Sequence, residues 1–173
     1  MKIKVRLSDA GLKQAEEDIR KYKTTLNQKA QLFAKALADK GLAVATIRFA
    51  NAQYAGSNDV SCHVEQNGAA CSIIAEGKSV AFIEFGTGVM HSAYGGELPD
   101  GVGEHGTYGK ENGKRKRWYY YGDPGNAGTP VKEVDGKGQL NYTSGNEPAM
   151  AMWGAVEEMA SQVEATWREV WNS

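Results

Sequence analysis

Residues 2–7, KIKVRL, alternate apolar and basic side chains, with Ile3, Val5 and Leu7 on one side. That period of two predicts a half-buried strand. Ser8-Asp9 then supplies a helix N-cap. From about residue 10 to 40, Leu12, Ala15, Ile19, Tyr22, Leu26, Ala30, Phe33 and Leu37 recur every three or four residues. This spacing predicts a long amphipathic helix with a charged outer face. Gly41 is expected to stop or kink it. Residues 42–54 read as a second, shorter helix, ended by Ala-Gly-Ser-Asn at 55–58.

The period then returns to two. Residues 59–66 and 69–76 are predicted strands joined across Asn67-Gly68, a strong hairpin signal. A third strand, 79–86, is expected to follow across Gly77-Lys78, completing an antiparallel meander. Two-residue turns set Val60, Cys62 and Val64 opposite Ala75, Ile73 and Cys71, with Val80 and Phe82 next in line. One face of this sheet is nearly all apolar, so the helices are expected to cover it. Cys62 and Cys71 come out diagonal rather than opposite, too far apart for an unstrained disulfide, and two free buried thiols are expected. The 79–86 strand is apolar on both faces, which calls for cover on both. Ile83, on the second face, is therefore a candidate contact for a neighbour or for the following segment.

Residues 86–145 hold fifteen of the 21 glycines and three of the four prolines. So long a Gly-rich stretch is expected to be functional or disordered. Within it RWYYYG (117–122) and GQLNYT (138–143) are islands able to pair as a hairpin. After Asn146-Glu147-Pro148 the helical period resumes, with Pro148 suited to a first helical position. Met152, Val156, Met159, Val163, Trp167 and Val170 form its apolar stripe. The fold expected is α+β. A long N-terminal and a C-terminal helix pack on one face of a small antiparallel meander. Residues 1–173 make one domain, with 87–145 as an inserted Gly-rich loop or hairpin excursion.

Composition narrows the function. At 173 residues the chain is long enough for a core without staples. A formal charge of −1 argues against a chain-wide electrostatic nucleic-acid binder. No apolar stretch approaches a membrane span, and MKIKVRLSD has no apolar core of a signal peptide. Two cysteines are no disulfide framework, so synthesis in a reducing cytoplasm is expected.

Glu84 is the carboxylate inside the most apolar stretch, AFIEFGTG. It reads either as an acid with a raised pKa or as a structural carboxylate bonded to backbone N–H groups or to an Arg or Lys. No second carboxylate or histidine lies close in sequence, which favours the structural role. Gly86-Thr87-Gly88 lets the chain turn beside it. His63, His91 and His105 lack metal-site spacing. Cys62 and His63 point to opposite faces and form no dyad. No cofactor is expected.

The most distinctive local composition is KENGKRKRWYYY, with Lys114, Arg115, Lys116 and Arg117 leading into Trp118, Tyr119, Tyr120 and Tyr121. Basic and aromatic residues together suit a protein interface, a nucleic-acid strand whose bases stack, or simply a solvated turn before a half-buried strand.

Two patches together resemble a known family. Phe82-Ile83-Glu84-Phe85-Gly86-Thr87 ends the expected third strand, and Pro148-Ala149-Met150 leads into the last helix. These resemble the small neck proteins of long-tailed bacteriophages, also called tail-completion, head–tail joining or minor capsid proteins. The chain departs from the commoner pattern in lacking a second proline and an aromatic before the last helix, and in its longer Gly-rich segment. The resemblance implies a non-enzymatic structural part of the virion, made in the host bacterial cytoplasm and assembled at the head–tail junction. Its partners would be other neck, connector or tail proteins and further copies in a ring, near the packaged DNA, with no membrane or small-molecule substrate. The motif residues Phe82, Glu84, Phe85, Gly86, Thr87 and Pro148 would then be structural. A nucleic-acid-binding module built on residues 110–121 is the alternative. A hydrolase using Glu84 with His91 or His105 is a weaker third reading.

Overall fold

The computed structural model describes residues 8–88 and 116–172. The expected strand at 2–7, together with His91, His105, Lys114 and Arg115, lies outside the described residues. Helix α1 spans Asp9–Ala50, 42 residues or roughly 63 Å at 1.5 Å per residue. Ser8 caps it, its Oγ accepting from the Gly11 N–H at 3.2 Å. Neither the stop at Gly41 nor a separate helix over 42–54 is present. Gly41 stays helical, and side chains of two other elements press against it. A Cβ there would lie 2.7 Å from Ile73 Cδ1 and 2.8 Å from Met159 Cγ. Glycine serves here as a notch for close packing, at a helix-propensity cost of about 1 kcal/mol relative to Ala.

Helix α3 (Ala151–Asn172) runs antiparallel along the C-terminal half of α1. The two helices approach closely through small residues, with Ala45, Phe49, Ala52, Ile83, Ala151 and Ala155 forming the buried core. At the far end of α3, Trp167 and Trp171 stack at 3.7 Å and meet the Phe33 ring edge-on. Near that end Lys29 Nζ donates to the Trp171 carbonyl at 3.3 Å. The expected apolar stripe of α3 is only partly inward. Val156, Val163 and Trp167 are exposed, while Gly154, Ala155 and Thr166 are buried.

Strands β1 (Ser61–Asn67) and β2 (Ala70–Glu76) form the antiparallel hairpin, packed on α1. Its register differs from expectation by two residues, with Cys62 opposite Ala75 and Val64 opposite Ile73. The turn is Gly68-Ala69, not Asn67-Gly68. Gly68 alone takes a positive φ, +61°, which fits a turn that needs glycine at its first central position. A shift of two preserves the faces, so Val60, Cys62, Ile73 and Ala75 still pack on the core. Cys62 and Cys71 are free and half-buried rather than buried.

The third strand of the expected meander does not form. Residues Val80–Phe85 are a short helix, α2. The run VAFIEF is apolar nearly all round, which fits a buried helical turn as well as a strand. What decides between them is the Asp59–Ser79 clamp. The Asp59 carboxylate accepts from the Lys78 N–H (2.9 Å), the Ser79 N–H (3.0 Å) and the Ser79 hydroxyl. The Ser79 carbonyl then accepts from Ile83 N–H at 2.9 Å, so the chain turns helical instead of pairing with β2. Ile83 is fully buried in the chain's own core, so its expected contact with a partner is overturned.

The second half of the expected Gly-rich excursion is a second sheet. Strands β3 (Trp118–Tyr121), β4 (Thr129–Val134) and β5 (Gly138–Thr143) pair antiparallel in the order β3-β5-β4. The two islands do pair, Trp118 opposite Thr143 and Tyr121 opposite Leu140, and β4 adds an unforeseen third strand. Asn126 ties this sheet to the end of α1. Its Oδ1 accepts from the Tyr54 N–H at 2.7 Å and its Nδ2 donates to the Ala52 carbonyl at 3.0 Å.

Candidate functional site

The two short motifs of the sequence meet in space. Helix α3 begins at Ala151, and the residue before it, Met150, has no side-chain oxygen to satisfy the first N–H groups of the helix. Glu84, from α2, does so instead. Its Oε2 accepts from Ala151 N–H at 2.7 Å, and Oε1 and Oε2 share Met152 N–H at 3.1 and 3.0 Å. Oε1 also accepts from Trp153 N–H at 3.2 Å. Glu84 is only 4% exposed. A buried carboxylate facing three N–H groups at a helix N-terminus gains both charge-assisted hydrogen bonds and the helix dipole.

The surrounding backbone holds that geometry. The Met150 and Ala149 N–H groups donate to the Glu84 and Ile83 carbonyls at 3.1 and 2.8 Å. Met150 takes φ +45°, a region side chains rarely adopt, and is fully buried. Arg48 Nη1 donates to the Met150 carbonyl at 2.9 Å. The guanidinium lies over Gly154, where any Cβ would overlap it. Pro148 is therefore not the first helical residue. It precedes the helix by three positions, in the approach that the α2 carbonyls hold in place.

Next to α2, Gly86 takes φ +75° and turns the chain onto residue 146. Thr87 and Asn146 form an antiparallel bridge, N–H to carbonyl at 3.0 and 3.1 Å in the two directions. The Thr87 hydroxyl also donates to Asn146 Oδ1, and Asn146 Nδ2 reaches the Phe82 carbonyl at 3.2 Å. Asn146 is thus a bridging residue rather than part of the helix start. Phe82 and Phe85 are half-buried beside it.

Both Glu84 oxygens are engaged by backbone N–H groups, and among the described residues no histidine or second carboxylate bonds to it. The arrangement is that of a cap. The Cys62 thiol is pushed up from its ordinary pKa by burial first and by Glu84 second. Asp59 is held down to about 2, chiefly by the Ser79 hydroxyl and then by the Lys78 and Ser79 N–H groups. His63 Nε2 lies 3.6 Å from Glu65, both side chains exposed. Among the described residues no three His, Cys, Asp or Glu side chains gather as metal ligands, and no helix is long and apolar enough to cross a membrane.

Two surfaces stand apart from the latch. On α1, Leu12, Ile19, Tyr22 and Leu26 are 41–55% exposed, on the part of the helix that extends past the Lys29–Trp171 tie. The first half of the stripe expected to be core is thus largely exposed, although Ala15 within it is buried. On the second sheet, Lys116, Arg117, Tyr119 and Tyr121 are exposed while Trp118 and Tyr120 turn inward. Tyr120 donates to the Pro124 carbonyl at 3.2 Å. The basic-aromatic segment is therefore split between a solvent face and a packed face. Sequence reading missed Asn146 as a bridge and Tyr142 as a neighbour of Tyr119, since both depend on partners remote in the chain.

Comparison with known protein families, curated proteins and solved structures finds no match to this chain.

Proposed function

We propose that the protein is a structural component of a bacteriophage neck, joining or completing the head–tail connection through protein–protein contacts. One observation carries this reading. The two patches on which the resemblance rests, 82–87 and 148–150, form one physical unit. The carboxylate of the first holds the helix that the second introduces. Such a coupling accounts for the two patterns occurring together in one chain. The exposed apolar stripe of α1 supports the reading by offering a protein partner a helix face repeating at residues 12, 19 and 26. Copies of the chain in a ring, or a neighbouring neck protein, would occupy it.

The experiment is deletion of the gene in its phage or prophage, with the lysate examined by electron microscopy. Filled heads beside unattached tails are expected. Intact, infectious particles would overturn the reading.

A further inference from the structure

The strand alternation of the second sheet segregates its charges. Cross-strand rows run Tyr119–Tyr142–Thr129 and Tyr121–Leu140–Lys132 on one face. The rows are about 7 Å apart, two residues along a strand. Tyr119 is 64% exposed and Tyr121 48%. The Tyr119 and Tyr142 rings lie 5.4 Å apart, and the Lys137 ammonium sits 5.7 Å from the Tyr121 ring centre. Exposed Arg117, two residues before Tyr119, continues the same alternation.

The carboxylates go elsewhere. Glu133 pairs with Gln139 in the opposite-facing row. Asp123 is turned back to the body of the protein, accepting from the Ser57 hydroxyl at 3.0 Å and the Gly125 N–H at 2.8 Å. Asp135 lies in the β4–β5 turn. The strand rows of the exposed face thus carry three tyrosine rings and Lys132 and no carboxylate, with Arg117 at one edge and, in the β4–β5 turn, Lys137 against Tyr121 and Asp135 two residues before that lysine. Exposed aromatic rings beside cations suit a strand of phosphates with unpaired bases.

We propose that this face binds single-stranded nucleic acid. Bases stack on Tyr119, Tyr121 and Tyr142, and Arg117, Lys132 and Lys137 meet the phosphates. Among the described residues the strand rows of this face hold no Asn or Gln side chain, so stacking and phosphate contact dominate and little sequence preference follows. The proposal rests on the sheet alone and stands or falls independently of the neck reading.

The test is fluorescence anisotropy of the full chain with labelled oligothymidine, oligouridine and a DNA duplex across a salt series. Binding to the single strands at about 50 mM salt, weakening linearly on a log–log plot, is expected. Tyr119→Ala and Tyr121→Ala should each weaken it about tenfold. Lys132→Ala should lower the salt slope by about 0.7, one phosphate contact on a single strand. All three side chains are exposed, so unchanged circular dichroism is expected of each variant. Tighter binding of the thymidine or the uridine strand would support the proposal and name the natural ligand as DNA or RNA. No binding at low salt would overturn it, as would binding that all three variants leave unchanged, or duplex bound as tightly as single strand. Absent binding together with self-association lost in Tyr119→Ala would assign the face to a second copy of this chain instead.

Discussion

Glu84 Oε2 accepts a hydrogen bond from the Ala151 N–H at 2.7 Å, across 67 residues of chain. A cap that most helices draw from the residue just before them is supplied here by another element. Folding of α2 and the start of α3 are thereby coupled. Neither end of the latch is satisfied until both are in place, because buried N–H groups and a buried carboxylate are each costly alone.

Replacing Glu84 with Gln keeps one acceptor oxygen and removes the charge, and replacing it with Ala leaves three N–H groups unpaired. Expected losses are about 2 kcal/mol for Glu84→Gln and about 3 kcal/mol for Glu84→Ala, from charged and unsatisfied buried hydrogen bonds. Urea unfolding measures both. Wild-type stability in both variants would show that the cap contributes nothing.

Asn146→Ala removes the Thr87 hydroxyl's acceptor and the donor to the Phe82 carbonyl, both inside the protein. About 2 kcal/mol of stability should go with them. In a double-mutant cycle with Thr87→Val, the two changes should fall well short of adding, since they share one contact. Simple additivity would mean that the side chains are not coupled.

Acid should loosen the Asp59 clamp. Its folded-state pKa of about 2 lies below the unfolded value of about 3.9, so its contribution is complete above that value and is lost as pH falls from about 4 toward 2. Asp59→Asn should therefore flatten the stability profile in that window and leave the slope near neutral pH unchanged. Acid titration followed by circular dichroism checks it, and identical profiles for the two proteins would remove the clamp as an acid-sensitive element.

Gly154→Ala puts a methyl group where the Arg48 guanidinium lies. Arg48 must then release the Met150 carbonyl, which outweighs the propensity gain of about 1 kcal/mol that Ala brings to a helix interior. A net loss of about 1 kcal/mol is expected, and in an Arg48→Ala background the same substitution should become stabilising. Destabilisation persisting in that background would place the clash elsewhere.

On α1, Ile19→Lys and Leu26→Lys change exposed positions, so stability should stay within about 0.5 kcal/mol of wild type. If the stripe holds a neck partner, the same variants fail to restore infectivity to the deletion phage. Full complementation would free the stripe from that role.

Much of the secondary structure was legible because local rules govern it. The Ser8 cap, the three-to-four spacing along α1, the pairing of two strands around Gly68 and the match of residues 117–122 with 138–143 each depend on neighbours or on a simple period. The misreadings have a common origin in contacts. Gly41 looked like a stop because glycine disfavours helix, yet a helix pressed against Ile73 and Met159 has room only for glycine. Pro148 looked like the first turn of α3 because proline suits a first helical position, yet the helix starts where Glu84, remote in the chain, caps it.

The chain's own pattern of polar and apolar residues was enough to set an α+β protein with a long helix at one end and a shorter one at the other. It also singled out Glu84 as a carboxylate in apolar company. Tertiary structure decided the rest. VAFIEF has no period that separates strand from helix, so the Asp59–Ser79 clamp chose. The α1 stripe has one period throughout, but α3 is only 22 residues long and covers only part of it. Glu84 found its role because burial leaves a carboxylate only the partners that folding brings within reach, and those were the first three N–H groups of α3.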